Sequence, residues 1–359
     1  LQAITWSVRT GDHAGPAEKY GPPGLADRVE ALDFEKYPLA GLLRPGYAMF
    51  TQDAERAYGY IEEALASPDE WLVAAAWLAS AALAENSGDV DTLRSASAQA
   101  LDRFRAVGER WGLSSALRIA GSIRVLDGDL DGAAAVFSEA TRVLGELGSH
   151  DDESRVRMQL ADIAARRGNL AAAREFYQAA LAAARSNGSD MDVTVVSAGA
   201  AMFEVMAGNF ELARSMHATA VQGLALLGTA HPARHHLLAA AASAGLMIAL
   251  ADGDLPLARE RAGAVYREGI ASEDMPLIAA VAGTLACLAH ALGQPERAAA
   301  MIGACAAVRG GEDSTELTVT QLGPRLGEAL GPDGYARAYD RGKTLSRAEA
   351  LALLDPATL

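Results

Sequence analysis

Cysteine is almost absent from this chain. Its 359 residues hold two, Cys287 and Cys305. A disulfide framework is therefore excluded, and the composition fits a reducing cytoplasm. Lysine is scarce as well, with only Lys19, Lys36 and Lys343 among 31 basic residues. Heavy Ala, Gly and Arg use beside so little Lys reads as the coding bias of a GC-rich genome. Positive charge is in deficit: 46 acidic groups leave a formal net charge of −15. Such a surface repels phosphate backbones, which argues against direct nucleic-acid binding. Long apolar runs are missing too. The longest covers residues 237–251, short of the roughly 20 residues a bilayer requires, and reads as a buried helix with no membrane role. No signal peptide opens the sequence. Leu1 in place of Met reads as the start of a fragment of a longer protein.

What is present is an apolar half, 50% of the residues, enough to bury a large core and to exclude general disorder. The length fits two or three domains, or one elongated domain. Short turn motifs recur along it: Ser87-Gly88-Asp89-Val90, Asp127-Gly128-Asp129-Leu130, Arg167-Gly168-Asn169-Leu170, Ala207-Gly208-Asn209-Phe210, Asp252-Gly253-Asp254-Leu255 and Leu292-Gly293-Gln294-Pro295. Their glycines are spaced 40, 40, 40, 45 and 40 residues apart. Glycine ends a helix in the left-handed conformation without steric penalty. The Asp or Asn that follows in five of the six turns caps the next helix, and Pro295 suits a first helical turn.

The flanking helices carry a matching pattern. Small or apolar residues fall 5, 9 and 12 positions after each Gly, as in Ala133, Phe137 and Ala140, or Ala173, Tyr177 and Ala180. These offsets share one helical face. Seven positions before each Gly stands another small or apolar residue: Ala81, Gly121, Ala161, Ala201, Leu246 and Ala286. An earlier copy, with Gln52 at the Gly position, gives Ala57, Ile61 and Ala64. Further glycines end the second helices at Gly108, Gly148, Gly188 and Gly228.

This pattern resembles the tetratricopeptide repeat, with a period of about 40 instead of that family's 34. The resemblance implies an all-α, right-handed superhelical solenoid of about seven helix pairs. Residues 1–34 read as linker, 35–309 as the solenoid and 310–359 as a C-terminal helical cap. Three short capping helices are expected over 320–354, broken at Gly331-Pro332 and Gly342, because an open solenoid must cover its last apolar face.

Catalytic signals are weak. Gly342-Lys343-Thr344 ends like a P-loop, but Arg337 stands where that motif needs Gly and no strand precedes it. The His231, His235 and His236 cluster lacks a neighbouring carboxylate or thiol, so solvated residues at a helix start are expected rather than a metal site. The two cysteines read as small apolar fillers, and His217 as a packing residue. No enzyme activity, metal or cofactor is expected.

A solenoid of paired helices presents a concave surface lined by the first helix of each pair. Analogy with the repeat family places lining residues 13, 10, 6, 3 and 2 positions before the turn Gly. The candidates for binding a ligand or partner are Arg118, Ser122, Arg155, Met158, Asp162, Met202, Met206, Met247 and His290. Arginine offers a fork for carboxylate or phosphate, methionine a pliable apolar wall.

A narrower resemblance rests on longer stretches. These are Pro38-Leu39-Ala40-Gly41-Leu42-Leu43-Arg44-Pro45-Gly46-Tyr47-Ala48, Ser67-Pro68-Asp69-Glu70-Trp71 and Phe104-Arg105-Ala106-Val107-Gly108-Glu109-Arg110-Trp111-Gly112-Leu113. Met301-Ile302-Gly303-Ala304, Arg309-Gly310 and Ala338-Tyr339-Asp340-Arg341-Gly342 follow near the end. Together they resemble the C-terminal repeat region of large actinobacterial SARP-type transcriptional regulators of antibiotic biosynthesis. That family carries winged-helix DNA-binding, transcriptional-activation and STAND-type NTPase domains ahead of its repeats. The resemblance implies a sensor for a small-molecule effector or peptide, in intramolecular contact with the NTPase and DNA-binding domains. The alternative is a free-standing repeat scaffold for protein–protein interaction.

Overall fold

The computed structural model describes Arg44, residues 54–147, 152–227, 231 and 233–359. The expected linker 1–34, the first helix of the earliest expected pair, Gln52, Gly148 and Gly228 lie outside the described residues.

Among the described residues there are sixteen α-helices and no strand: α1 (Ala54–Leu65), α2 (Glu70–Ser87), α3 (Val90–Val107), α4 (Arg110–Leu126), α5 (Leu130–Leu147), α6 (Glu153–Arg166), α7 (Leu170–Ser186), α8 (Asp190–Met206), α9 (Phe210–Leu226), α10 (Arg234–Ala251), α11 (Leu255–Ala271), α12 (Met275–Ala291), α13 (Pro295–Arg309), α14 (Leu317–Leu330), α15 (Pro332–Lys343) and α16 (Arg347–Leu353). A 3-10 turn, Pro356–Thr358, follows. The helices pack as consecutive pairs, α2 with α3 through α12 with α13, each pair leaning on the next. This is the all-α solenoid of helix pairs expected from the turn spacing.

The six turns share one hydrogen-bond plan. All six glycines sit at φ between 70 and 77°. The residue after each Gly returns its N–H to a carbonyl five positions back, as Asp129 does to Arg124 at 2.9 Å and Asn209 to Glu204 at 2.8 Å. That bond satisfies a carbonyl the helix end would otherwise leave open. At Asp89, Asp129, Asn169 and Asp254 the side chain then caps the next helix, whereas Asn209 makes no such bond. Asp129 accepts from the Gly132 N–H at 2.9 Å and Asp254 from Leu257 at 3.0 Å.

Between paired helices the core follows the predicted positions. Ala133, Phe137 and Ala140 are buried, as are Ala57, Ile61 and Ala64 of α1. Gly121 explains why the position seven before the turn is small. A Cβ there would lie 2.5 Å from the Phe137 ring, so the aromatic of α5 fills the space that α4 leaves. Helix α10 is the one helix among the described residues long and apolar enough to cross a membrane. It lies between α8, α9, α11 and α12, and Leu237, Ala244, Leu246 and Ile248 are buried there.

The C-terminal region departs from a simple end cap. Helix α15 packs on α13 as a further first helix would, but the segment 310–316 and the start of α14 turn into the concave face. There Gly310 meets the Gly88 backbone, Gly311 meets Leu126, and Arg347 donates to the Ser87 carbonyl at 2.7 Å. The C-terminal region thus touches the α2–α3 turn and α4. The break at Gly331-Pro332 falls where expected, whereas Gly342 stays inside α15 and the helix ends after Lys343. The reason is close approach: a Cβ on Gly342 would overlap the Ala300 carbonyl, and one on Gly303 the Tyr339 carbonyl. Gly342 therefore serves as a contact point between α13 and α15.

Gly342→Ala should lower stability by about 1–3 kcal/mol, the usual cost of overpacking. Gly263→Ala in α11, where a Cβ meets nothing within 4 Å, should instead gain about 0.5–1 kcal/mol from helix propensity. Urea unfolding of the two variants beside the parent reads both signs.

Candidate functional site

The inward fold of the C-terminal segment converts the concave groove into a cavity of about 490 Å³. The first helices of all six described pairs contribute to its wall, from Glu85 of α2 to Thr284 of α12. The segment 309–318 adds a further wall with Arg309, Asp313, Glu316, Leu317 and Thr318. The volume lies in the range of small-ligand sites, about 300–1,000 Å³.

One part of the cavity is charged. Arg166, at the end of α6, donates from Nη1 to both Asp313 oxygens at 3.0 and 2.8 Å, and to Thr315 Oγ1 at 2.9 Å. Its Nε donates to Asp162 at 2.7 Å. Arg309 stands 3.8 Å from Asp313. The Arg166 and Asp313 side chains retain only 11% and 6% of their exposure, so both charges depend on each other. Burial alone would push the Asp313 carboxyl up, but the Arg166 charge and hydrogen bonds, with Arg309 and Thr315, hold it below the usual aspartate range. Glu316 lies close by in a different condition. Its Oε2 is buried without a hydrogen-bond partner among the described residues. Burial raises its pKa, with Arg309 and Arg166 opposing.

The other part is apolar, formed by Met202, Phe203 and Met206 of α8, Tyr177 of α7, and Leu277 and Val281 of α12. The Tyr177 and Phe203 rings stack at 5.2 Å. Arg174 holds this corner, donating to both oxygens of the buried Glu204 at 2.7 Å.

Of the expected lining residues, Ser122, Asp162, Met202 and Met206 border the cavity. The structure places the other five elsewhere. Arg118 faces Glu85 at 3.6 Å and Arg155 faces Asp192 at 3.5 Å. Met158 packs among the α6–α8 core residues, and Met247 against α11–α13. His290 is half-buried, and its Nδ1 has no partner among the described residues.

The discrepancy has a geometric cause. In α4 and α6 the cavity touches positions 6, 3 and 2 before the turn Gly: Ser122, Val125 and Leu126, then Asp162, Ala165 and Arg166. In α8 it spans positions 10 to 2, Ala198 to Met206. In α10 it touches positions 13 and 10, Ala240 and Ser243, and in α12 it reaches Leu277, sixteen before Gly293. The contact band climbs the first helices as the superhelix turns, so one fixed set of offsets cannot serve every repeat. Arg166 sits two positions before Gly168 and was reachable by the same rule. Asp313 and Glu316 lie outside the repeats, where no repeat offset points.

Other sequence candidates resolve simply. His235 pairs with Glu268 at 2.9 Å and His236 with Asp274 at 3.3 Å. His231 was expected to be solvated but is buried, accepting from the Ala233 N–H at 3.2 Å. No group of three or more potential metal ligands exists among the described residues. His217 does pack inside, with Nε2 3.1 Å from the Ala241 carbonyl. Burial pushes the Cys287 thiol up to about 12 and raises that of Cys305 as well, the opposite of an activated nucleophile.

Among solved structures, the chain is similar to a signal transduction ATPase with numerous domains (STAND) protein with a tetratricopeptide repeat sensor from Pyrococcus horikoshii. The TM-score is 0.50 at 13% identity, over 94% of this chain and 48% of that one. The chain thus spans about half the length of that protein. It is also similar to NprR in complex with its cognate peptide NprX, at TM-score 0.46 and 14% identity, over 91% of this chain and 99% of that one. At such identity the first likeness bears on the fold alone and supports a tetratricopeptide-type solenoid. No family model and no curated protein sequence matches the chain.

Replacing Asp313 with Ala should cost about 3–5 kcal/mol at pH 7, because it strips a buried guanidinium of its main partner. The folded pKa of Asp313 is lowered. Its contribution is therefore full above the ordinary aspartate value of about 3.9 and is lost as pH falls through the folded value. The stability gap between parent and variant should narrow below about pH 4, as measured by denaturant titration at several pH values.

Proposed function

We propose that this chain is the sensor domain of a multidomain regulator, binding a small-molecule effector or a short peptide in its central cavity. The observation that carries the reading is the cavity itself. Six first helices and the C-terminal segment converge on one half-open space with a charged part and an apolar part. Ser122, Asp162, Met202 and Met206, with Arg166, Asp313 and Glu316, are the residues expected to meet the ligand. The role is binding, not catalysis, and needs no cofactor.

The layout also offers a way to signal. A ligand in the cavity would touch α4, α6 and α8 on one side and α12 with the segment 309–318 on the other. It would favour whichever relative placement of these walls it contacts best. Any domain resting on the solenoid would then feel the change. The stretches that resemble SARP-type regulators make attached NTPase and DNA-binding domains the natural receivers, in the control of antibiotic biosynthesis. A free-standing scaffold is the weaker reading, since a scaffold needs an open groove and residues 310–317 stand in this one.

A thermal-shift screen against nucleotides, metabolites and short peptides tests this. A specific ligand should raise the melting temperature progressively with concentration, by about 2.7 kcal/mol of added stability at a hundred times its Kd. Ala280 lines the cavity from an exposed position on α12. Ala280→Phe should therefore abolish the shift while leaving the unliganded melting temperature within a few degrees. A hit that survives this substitution would move the binding site elsewhere.

A further inference from the structure

The charges that line the cavity do not balance. Four carboxylates face it, from Glu85, Asp162, Asp313 and Glu316, against two guanidinium groups, from Arg166 and Arg309. Glu85 is answered from outside the cavity by Arg118. Arg166 is held by Asp162 and Asp313, and Arg309 stands against Asp313. Each of these cations already faces another carboxylate. Glu316 shares Arg309 and Arg166 with Asp313 and hydrogen-bonds Thr318, yet its buried Oε2 accepts no hydrogen bond from any described residue. Burial raises its pKa, as expected for a desolvated carboxyl whose charge is incompletely answered.

A buried acceptor of this kind discriminates among ligands by what they bring to it. An anionic group would add like charge to a cavity already rich in carboxylates. A neutral apolar molecule would leave the oxygen unpaired. A protonated amine supplies both the missing donor and the missing charge. Beyond Glu316 the cavity is apolar, with Met202, Met206, Leu277 and Val281 available to cover a hydrocarbon body.

We propose that the cavity binds a small organic cation, an amine on an apolar body, with its ammonium on Glu316 and its body against Met202, Met206, Leu277 and Val281. The proposal rests on the cavity being the ligand site. It reverses the charge preference that the candidate arginines Arg118 and Arg155 would give, because neither borders this space.

Three probes of matched size separate the possibilities: 4-phenylbutylamine, 4-phenylbutan-1-ol and 4-phenylbutanoate. Their binding to the full 359-residue chain is read by thermal shift and isothermal titration calorimetry. The amine should bind at least tenfold more tightly than the alcohol or the acid. Glu316→Gln should erase that advantage and bring the amine level with the alcohol. It should change the unliganded melting temperature by only a few degrees, since the amide keeps the side chain's shape and an oxygen to hydrogen-bond Thr318, and Arg309 and Arg166 keep Asp313. Ala280→Phe should abolish binding of every probe that enters the cavity. An amine that binds Glu316→Gln as tightly as the parent overturns the proposal, as does an acid that binds most tightly. If the alcohol or acid binds and Ala280→Phe removes it while the amine has no advantage, the cavity stands as a ligand site and only its charge preference falls. If none of the three shifts the parent protein, both the amine assignment and the cavity reading fall.

Discussion

One buried ion pair, Arg166 with Asp313, determines how the concave face is used. The partners are 147 residues apart in sequence and almost hidden from solvent. Buried pairs of this kind contribute little net stability over an apolar replacement, but neither member tolerates the loss of the other. The pair therefore specifies position. It anchors the segment after α13 against α6, and the contacts of Gly310 and Gly311 with the α2–α3 turn and α4 follow from that placement. Leu317, packed against the α6–α8 core, holds the same segment from its other side.

The cavity inherits its chemistry from that arrangement. Its charged part exists because the inserted segment brings Asp313 and Glu316 to meet Arg166 and Arg309. Its apolar part comes from α7, α8 and α12, which would line the groove in any case. Asp313 is saturated with partners whereas Glu316 is not, and the two lie three residues apart. One carboxylate thus has its oxygens answered by Arg166 and Thr315, and the neighbouring one keeps an oxygen without a partner among the described residues. The same segment joins α13 to the α2–α3 turn and α4 through Gly310 and Gly311.

Much of the fold was legible because its signals are local. A Gly in the left-handed region followed by Asp or Asn ends one helix and caps the next using atoms within five residues. Small residues opposite aromatics, such as Gly121 under Phe137, repeat with the same period. The wall of the cavity was only half legible. The family offsets gave Ser122, Asp162, Met247 and His290 alike, but only the first two border the cavity, because the lining band climbs along the first helices. Gly342 shows the same limit in miniature. Its sequence context reads as a helix break, whereas its role is set by Ala300, forty-two positions earlier.

The sequence by itself determined the all-α class, the helix pairs, their turns and the residues buried between partners. These depend on hydrogen bonds and packing within one or two repeats, and a 40-residue period exposes them. Only the tertiary structure decided that the segment after α13 meets the α2–α3 turn, that Asp313, Glu316 and Leu317 enter the groove, and which side chains line the space left over. Those outcomes depend on the rotation accumulated over six pairs and on pairing between charges far apart along the chain, neither of which any local pattern records.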